Sequence, residues 1–395
     1  MVIKKLKDCC MIIAGQSPES KYYNTDGIGI PFFQGKADFG EVYPTVRVYC
    51  SQPIKVAEKD DILLSVRAPV GPTNLSPGKV CIGRGLTAIR PSEILNIYYL
   101  LYFFQFFEEQ LKQKGIGTTF KAITQDIIKN LKIPVPPVAE QQQIVTYIEE
   151  LFSKLDKAVE TLQTVKVQLA VYRQAVLKEA FAVVSDEEYQ LLGNILETAP
   201  QNGIYKPKSE YGSGIQILRI DGFYDGAVVN DYDFKRVRLD EHEADKYKLC
   251  VGDLVINRVN SMPYLGKCAL IRTLSDVTVF ESNIMRMRLN EMVADSEYVT
   301  YYLSSCFGRQ ELIKNAKQAV NQASINQNDV QNARIPVPEL DQQMKIKRAI
   351  ESCLSVCDNI EQTVDTALQQ AEAMRKGILR QAFEGKLTNC HSCMR

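Results

Sequence analysis

Two long stretches of the chain carry hydrophobic residues at alternating spacings of four and three positions. A seam of this kind, kept over roughly four heptads, is typical of a left-handed coiled coil. The pattern therefore predicts two long helices that pack on each other. The predicted seam includes Ile144, Ile148, Leu151, Leu155, Leu162, Leu169, Tyr172 and Val176 in the first helix, and Ile346, Ile350, Ile360, Val364, Met374 and Ile378 in the second.

The two helical stretches belong to an internal repeat. Residues 133–136 read Ile-Pro-Val-Pro and recur at 335–338, and the same offset of 202 residues maps Gln141 onto Gln343. Each half is thus a variable segment followed by a better-matched helix. Because a globular segment separates the two helices, we expect them to lie antiparallel, related by an approximate two-fold axis, with the variable segments at opposite ends.

The variable segments alternate short strand-like runs with helical ones, which indicates mixed α/β domains. We place domain boundaries at 1–138, 139–185, 186–338 and 339–387, with 388–395 as a disordered tail. The predicted strands cover 61–66, 79–82, 86–89, 215–220, 253–257, 268–271 and 284–289, and the predicted helices 94–114 and 296–317.

Composition places the chain among ordinary globular proteins. It has 395 residues, 45% of them hydrophobic, and equal numbers of acidic and basic residues. The eleven scattered cysteines favour free thiols, and we see neither an export signal nor a membrane span of roughly 20 apolar residues. These features predict a cytoplasmic protein that does not bind membranes.

Groups for catalysis are hard to find. The sequence has no phosphate-binding loop of the G-x-x-x-x-G-K-[ST] type and no Asn/Asp-Pro-Pro-Tyr/Phe tetrapeptide of adenine methyltransferases. Its histidines are His242, in an acidic run, and His391, near the end. Cys390 and Cys393 flank His391, but no second pair at zinc-ligand spacing accompanies them. We therefore expect a non-catalytic chain without a metal site.

Polar loops and strand ends are the candidate binding positions. Amides and hydroxyls on loops can contact bases or phosphates, and a guanidinium at a strand end can reach guanine. For any single residue, a solvated surface charge is at least as good an interpretation. The candidates for DNA contact are Gln34, Lys36, Arg67, Arg84, Thr118, Thr119, Lys121, Arg219, Arg258, Asn260, Arg286, Gln318, Asn321, Gln322 and Ser324.

The order and duplication of these motifs resemble the specificity subunits of type I restriction–modification enzymes. The resemblance rests on the two Ile-Pro-Val-Pro stretches, the helix starts at 140–144 and 341–343, and the matched segments 173–181 and 375–383. The strands at 61–64 and 252–255, the 117–119 loop and the closing residues 384–387 complete the pattern.

This resemblance implies two target recognition domains, each reading half of an asymmetric bipartite site in double-stranded DNA. It implies that the coiled coil sets the spacer and docks two modification subunits that methylate adenine N6. A restriction subunit would add translocation and cleavage. S-adenosylmethionine, ATP and Mg²⁺ are then expected on the partner subunits, and no cofactor in this chain.

Three alternatives remain at this point. The chain could serve a methylation-only or phase-variable system that lacks a restriction subunit. It could be a coiled-coil scaffold that does not bind DNA, although this leaves the duplicated domains unexplained. It could also be an independent nuclease or methyltransferase, which would be active as an isolated chain.

The zero net charge hides an asymmetry between the two halves. Residues 1–135 carry 17 Lys and Arg against 12 Asp and Glu, whereas residues 186–335 carry 17 against 21. The second domain cannot attract DNA by its overall charge. It needs either a local basic surface or help from partner subunits.

Overall fold

A computed structural model describes residues 2–115, 122–224, 226–228, 234–320 and 322–384. The chain divides into two compact units. Unit 1 comprises Met1–Gln163 and Asp365–Arg395, and unit 2 comprises Thr164–Val364. Both borders fall inside long helices, so each unit contains one part of each.

Two helices of 44 residues dominate the described helical structure. They confirm the two long helices that the heptad pattern predicts. The helices are α1 (Ile97–Lys114), α2 (Gln125–Lys129), α3 (Val138–Phe181), α4 (Glu241–Tyr247), α5 (Ser296–Ser304), α6 (Cys306–Ile313), α7 (Gln327–Gln331) and α8 (Leu340–Phe383).

Unit 1 contains the first eleven strands, in a four-stranded sheet (β2-β10-β7-β8), a five-stranded sheet (β3-β5-β4-β9-β6) and the pair β1-β11. Strand β7 lies between β10 and β8 and is fully buried. The strands are β1 (Val2–Lys5), β2 (Cys10–Ala14), β3 (Tyr23–Asn24), β4 (Ile30–Phe33), β5 (Tyr49–Cys50), β6 (Val56–Ala57), β7 (Ile62–Ser65), β8 (Thr73–Leu75), β9 (Val80–Ile82), β10 (Leu86–Pro91) and β11 (Lys132–Val135).

Unit 2 contains a six-stranded sheet (β13-β22-β18-β20-β16-β15), two three-stranded sheets (β17-β14-β21 and β19-β24-β23) and the pair β12-β25. The strands are β12 (Tyr189–Leu191), β13 (Leu196–Asn202), β14 (Tyr211–Leu218), β15 (Phe223–Tyr224), β16 (Gly226–Val228), β17 (Arg236–Val237), β18 (Leu254–Asn257), β19 (Val259–Asn260), β20 (Cys268–Leu270), β21 (Thr278–Phe280), β22 (Ile284–Leu289), β23 (Lys317–Gln318), β24 (Ala323–Ser324) and β25 (Arg334–Pro336). The mixed α/β class with two long helices is confirmed.

All seven predicted strands correspond to strands in the structure, but the helix predicted over 296–317 is wrong in its length. It breaks at Ser305 into α5 and α6. The Ser305 hydroxyl donates to the carbonyl of Tyr302 and accepts the N–H of Gly308 at 3.1 Å, so it caps a new helix. Residues 317–318 form β23 instead.

A buried carboxylate precedes the central strand of each unit. Asp61, before β7, is 1% exposed and accepts two hydrogen bonds of 2.8 Å from the Arg90 guanidinium. Asp253, before β18, is likewise 1% exposed and accepts two from Arg288, at 2.8 and 3.2 Å. Bidentate pairing stabilises a carboxylate that burial would otherwise disfavour. The strands that follow Asp61 and Asp253 therefore belong to one framework built twice.

A buried glutamine joins the start of each long helix to the α/β domain of its unit. In unit 1, Gln141 is fully buried, and its Oε1 accepts the backbone N–H of Asn96, the N-cap of α1, at 2.7 Å. Its Nε2 donates to the carbonyls of Ile94 at 2.9 Å and Pro136 at 2.8 Å. The oxygen of this buried amide thus accepts one hydrogen bond, and both N–H groups of its nitrogen donate.

Unit 2 repeats this arrangement around Gln343. Its Oε1 accepts the N–H of Asp295, the N-cap of α5, at 2.9 Å, and its Nε2 donates to Val293 at 3.0 Å and Pro338 at 2.7 Å. Asp295 therefore corresponds to Asn96, an offset of 199. The offset of 202 that relates Gln141 to Gln343 does not hold here, because it would place this N-cap three residues further along the chain.

The two long helices run antiparallel within each unit. In unit 1, Ile144 near the start of α3 shares a core with Phe383 at the end of α8, and further along α3 Asp156 pairs with Arg375. In unit 2, Phe181 at the end of α3 shares a core with Ile346 near the start of α8. The expected antiparallel orientation is therefore confirmed.

At three of its fourteen positions the predicted heptad seam is shifted by one residue. Tyr172, Ile360 and Met374 are 52%, 40% and 61% exposed, so they are not seam residues. Their neighbours Arg173, Glu361 and Arg375 are only partly exposed. Of the other predicted positions, Leu151, Leu155, Leu162 and Ile378 are half-buried and Ile144, Ile148, Leu169, Val176, Ile346, Ile350 and Val364 are buried.

Ion pairs explain the shift. Arg173 lies 2.7 Å from a carboxylate oxygen of Asp358 and 2.8 Å from one of Glu361. In unit 1, Arg375 pairs with Asp156 and its guanidinium lies 4.3 Å from the ring centroid of Phe152. Because long side chains can cover apolar surface with their stems, a charged residue occupies the seam and displaces the apolar residue before it.

Candidate nucleic-acid interface

In unit 1, backbone hydrogen bonds bring together loops that lie far apart in the sequence. The N–H of Gly83 donates to the carbonyl of Phe33 at 2.8 Å, which places the next residues, Arg84 and Gln34, side by side. Lys36 follows in the same turn, where the Asp38 carboxylate accepts the N–H of Gln34 at 2.7 Å.

The end of β7 adjoins the same turn from the other side. The N–H of Val66 donates to the carbonyl of Gly85 at 2.9 Å, and the N–H of Ile123 donates to the carbonyl of Val66 at 3.0 Å. Arg67 forms a backbone bridge with Ala122. We call the surface formed by Gln34, Lys36, Arg67, Arg84 and Ala122 the loop face of unit 1.

This loop face is basic. Lys36, Arg67 and Arg84 are exposed, and none of the three forms an ion pair with a residue that the structure describes. The nearby Asp38 carboxylate is occupied by backbone N–H groups of Gln34 and Gly35. Thr118, Thr119 and Lys121 lie outside the described residues, as does Asn321 in unit 2.

Unit 2 builds a matching surface from a three-stranded sheet. In this sheet β24 pairs with both β19 and β23, so that Ala323 lies opposite Asn260 and Gln318, and Ser324 opposite Val259. We call the surface formed by Arg219, Arg258, Asn260, Gln318, Gln322 and Ser324 the loop face of unit 2. It presents amides and a hydroxyl where the loop face of unit 1 presents mainly cations.

The two loop faces share one backbone framework. In unit 2 the N–H of Glu281 donates to the carbonyl of Leu218 at 3.0 Å, so Arg219 takes the place that Gln34 has in unit 1. The N–H of Arg258 donates to Asn283 and its carbonyl accepts from Ile325, as Val66 does with Gly85 and Ile123. The frame is repeated while its side chains differ.

A glycine is required at the same point of each frame. A Cβ at Gly15 would lie 2.2 Å from the carbonyl oxygen of Gly83, and one at Gly203 would lie 2.2 Å from that of Glu281. No side chain fits at such distances, so glycine allows the chain to pass close to the loop face directly after β2 in unit 1 and after β13 in unit 2.

Arg258 and Asn257 are unusual within the loop face of unit 2. Burial lowers the pKa of Arg258. Its Nη1 donates to the carbonyl of Ser282 at 2.9 Å, but its buried Nε has no partner in the structure. Asn257 is fully buried, and both polar atoms of its amide also lack a partner. In unit 1 the corresponding Ser65 donates to the carbonyl of Pro69 at 2.8 Å.

Two predicted arginines have protein partners. Arg219 lies on the loop face, but its Nε is 3.2 Å from a carboxylate oxygen of Glu281. Arg286 lies away from the loop face: its Nη1 donates to the carbonyl of Lys248 at 2.6 Å, and it also binds Gln201. Burial lowers the pKa of Arg286. The structure thus does not bring Arg286 together with the other candidates.

Sequence reasoning missed a basic cleft in unit 2. Its volume is about 980 Å³. The pairing of β14 with β17 brings two short basic runs together, although 27 residues separate Lys208 from Lys235. Each run, Lys-Pro-Lys and Lys-Arg, is visible in the sequence but looks like ordinary surface charge. The described lining residues are Lys206, Lys208, Tyr211, Gly212, Arg219, Phe234, Lys235 and Arg236.

Neither a metal site nor a membrane helix emerges from the described part of the chain. Within those residues, no three or more His, Cys, Asp or Glu side chains cluster so as to hold a metal ion. The described helices include none that is long and apolar enough to cross a membrane. His391 and its flanking cysteines lie outside the described residues.

Comparison with known proteins matches both halves of the chain to one family. The family described as "Type I restriction modification DNA specificity domain" matches residues 1–167 and again residues 204–370. The chain belongs to this family. The specificity-domain repeat thus coincides with the duplicated framework of buried carboxylates, glutamines and loop faces.

Named relatives of this specificity-family chain carry the same description. It is 46% identical over 134 residues to "Putative type I restriction enzyme MjaX specificity subunit" of Methanocaldococcus jannaschii, a match to 34% of this chain and 32% of that relative. It is 26% identical over 325 residues to "Type I restriction enzyme StySPI specificity subunit" of Salmonella potsdam, covering 79% and 70%.

A solved chain shares the fold of this specificity-family chain over nearly its full length. The structure is described as "Structural basis underlying complex assembly and conformational transition of the type I R-M system". The match covers 97% of both chains with a TM-score of 0.69 and 18% sequence identity.

Proposed function

We propose that this chain is the DNA-reading subunit of a type I restriction–modification complex and is not itself catalytic. Each unit reads one half of an asymmetric bipartite site through its loop face, in the major groove of double-stranded DNA. One observation carries this proposal: the chain builds the same backbone frame twice and places different side chains on it. A duplicated enzyme would need the same reacting groups in both copies.

The side chains of the loop faces suit base recognition. Arginine makes bidentate contacts with guanine, and asparagine or glutamine with adenine. Arg67 and Arg84 of unit 1 are exposed and able to reach a base edge or a phosphate. In unit 2, Gln318 and Gln322 are exposed and Asn260 is half-buried. Because the two faces differ, the two half-sites are expected to differ in sequence.

The helices support docking of two identical modification subunits. Asp156 pairs with Arg375 in unit 1, and Arg173 pairs with Asp358 in unit 2, so the same exposed pair occurs twice. The arginines cover the helix seam in the same way in both units. Each unit therefore offers an equivalent helical surface, one for each copy of a shared partner. S-adenosylmethionine binds that partner, and ATP and Mg²⁺ bind a restriction subunit.

The long helices set the distance between the half-sites. A helix of 44 residues spans about 66 Å and bends far less than a loop. Half-sites separated by about one helical turn, roughly 34–36 Å, lie on the same face of B-DNA. A helical spacer holds two readers at such a separation. The complex acts on DNA in the cytoplasm.

The decisive experiment maps adenine methylation across the host genome with and without the gene for this chain. We expect a bipartite, asymmetric motif that disappears when the gene is deleted. An unchanged methylation pattern, or a palindromic motif, would contradict the proposal. A parallel assay of phage restriction distinguishes a complete restriction system from a methylation-only one, because only the former loses protection.

A further inference from the structure

The basic cleft of unit 2 contains two exposed lysines that form no ion pair with the residues that the structure describes. Lys208 and Lys235 are exposed, and neither forms an ion pair with a described residue. The other three cations are held in place: Lys206 by Glu243 at 2.7 Å, Arg219 by Glu281 at 3.2 Å and Arg236 by Asp276 at 3.1 Å. Within the described part of the chain, the cleft thus combines two exposed lysines with three cations that ion pairs hold in place.

The lining of the cleft has no described carboxylate. This is unexpected in a segment, residues 186–335, that carries 21 acidic against 17 basic residues. The carboxylates that pair with Lys206, Arg219 and Arg236 are not among the described lining residues. Among the described residues, positive charge is therefore concentrated at one surface of an acidic domain, where it attracts an anion locally.

We propose that this cleft binds the sugar–phosphate backbone of DNA, next to the half-site that the loop face of unit 2 reads. This inference rests on the proposed function and adds a phosphate-binding site to it. The cleft adjoins that loop face through Arg219, which belongs to both surfaces. The Glu281–Ser282 turn links them, because Glu281 binds Arg219 and Ser282 accepts Nη1 of Arg258.

The chemistry of the cleft fits phosphate better than bases. Lysine acts as a point charge and contacts phosphate without reading sequence. The lining has no asparagine or glutamine among its described residues, and these are the side chains that pair with adenine. Tyr211 and Phe234 add two aromatic side chains to the lining, against which a deoxyribose could pack. The cleft supplies affinity, and the loop face supplies specificity.

The test neutralises the two exposed lysines in the full chain, alone and with its modification subunit. The variant Lys208→Gln/Lys235→Gln is compared with Lys246→Gln/Lys248→Gln, which removes the same charge from the same domain outside the cleft lining. Lys208→Arg/Lys235→Arg keeps the charge. Binding to a mixed-sequence duplex and to the methylated motif is measured by fluorescence anisotropy between 50 and 200 mM salt.

Loss of two phosphate contacts should reduce the slope of log K against log salt by about 1.8. Over this salt range, binding by the wild type should then weaken roughly 12-fold more than binding by the double variant. The effect should be equal on both duplexes, absent in the control and restored by arginine. An unchanged slope, or a loss confined to the motif, overturns the phosphate site. Absence of motif binding by the wild-type complex overturns the proposed function itself.

Discussion

Replacing Gln141 by alanine should selectively destabilise unit 1. The side chain is fully buried and makes hydrogen bonds of 2.7, 2.9 and 2.8 Å to Asn96, Ile94 and Pro136. Its removal leaves one backbone N–H and two carbonyls without this partner. An unsatisfied buried group costs about 1–3 kcal/mol, and carbonyls keep a second lone pair for water, so we expect a total loss of about 3 kcal/mol.

Gln142→Ala is the matched control on the same helix. Gln142 is exposed and accepts one hydrogen bond, of 2.9 Å, from the Asn96 side chain. Loss of this side chain should lower the free energy of unfolding by less than about 0.5 kcal/mol. Gln343→Ala removes the three equivalent hydrogen bonds in unit 2 and should lower the free energy of unfolding by about as much as Gln141→Ala does.

Urea denaturation followed by circular dichroism measures the stability loss. Limited proteolysis with mass spectrometry then locates it, since Gln141→Ala should expose cleavage sites in unit 1 first and Gln343→Ala in unit 2 first. Equal midpoints for Gln141→Ala and Gln142→Ala would show that the buried amide does not fasten the recognition fold to α3. Identical cleavage patterns for the two buried-glutamine variants would contradict independent units.

Three further predictions address the helices and the charge balance. Inserting four residues into both α3 and α8 should lengthen the preferred DNA spacer without altering the half-sites, as measured by methylome sequencing. Altered half-sites with an unchanged spacer would refute the spacer role. The isolated chain should bind DNA weakly, and its complex with the modification subunit should bind tightly, because the acidic second domain repels the duplex overall. Tight, sequence-specific binding by the isolated chain in a gel shift would refute this prediction. Leu169→Ala should lower the free energy of unfolding by about 2–4 kcal/mol, because Leu169 is only 8% exposed. Tyr172→Ala should change the free energy of unfolding by less than about 0.5 kcal/mol. Equal urea midpoints for the two variants would contradict the shifted seam.

The repeat is the part of the fold that sequence could predict, because it preserves side chains with fixed structural tasks. Gln141 and Gln343, or Asp61 and Asp253, are matched in sequence since each must satisfy the same buried partners. The break at Ser305 was not predictable from helical spacing, because a serine hydroxyl both ends α5 and caps α6. Local hydrogen bonding there overrides the hydrophobic pattern.

The candidate site was predictable only in part, because the sequence locates strand ends but does not show which partners their side chains bind. Arg67 and Arg84, like Arg258 and Asn260, lie at strand ends, and strand ends can be located from periodicity and turns. Arg286 lies within a strand, and its guanidinium is used by Lys248 and Gln201. Which side chains remain free for a ligand depends on partners that are distant in sequence.

The sequence by itself determined the duplicated plan, the two long helices and the family of this chain, because heptad spacing and repeat offsets are properties of residue order. Tertiary structure alone decided the local seam register, since paired arginines, Arg173 and Arg375, replace the apolar residue before them at the seam. It also decided where positive charge collects in unit 2. Lys208 and Lys235 share a cleft only because β14 pairs with β17, and electrostatic attraction depends on distance in space.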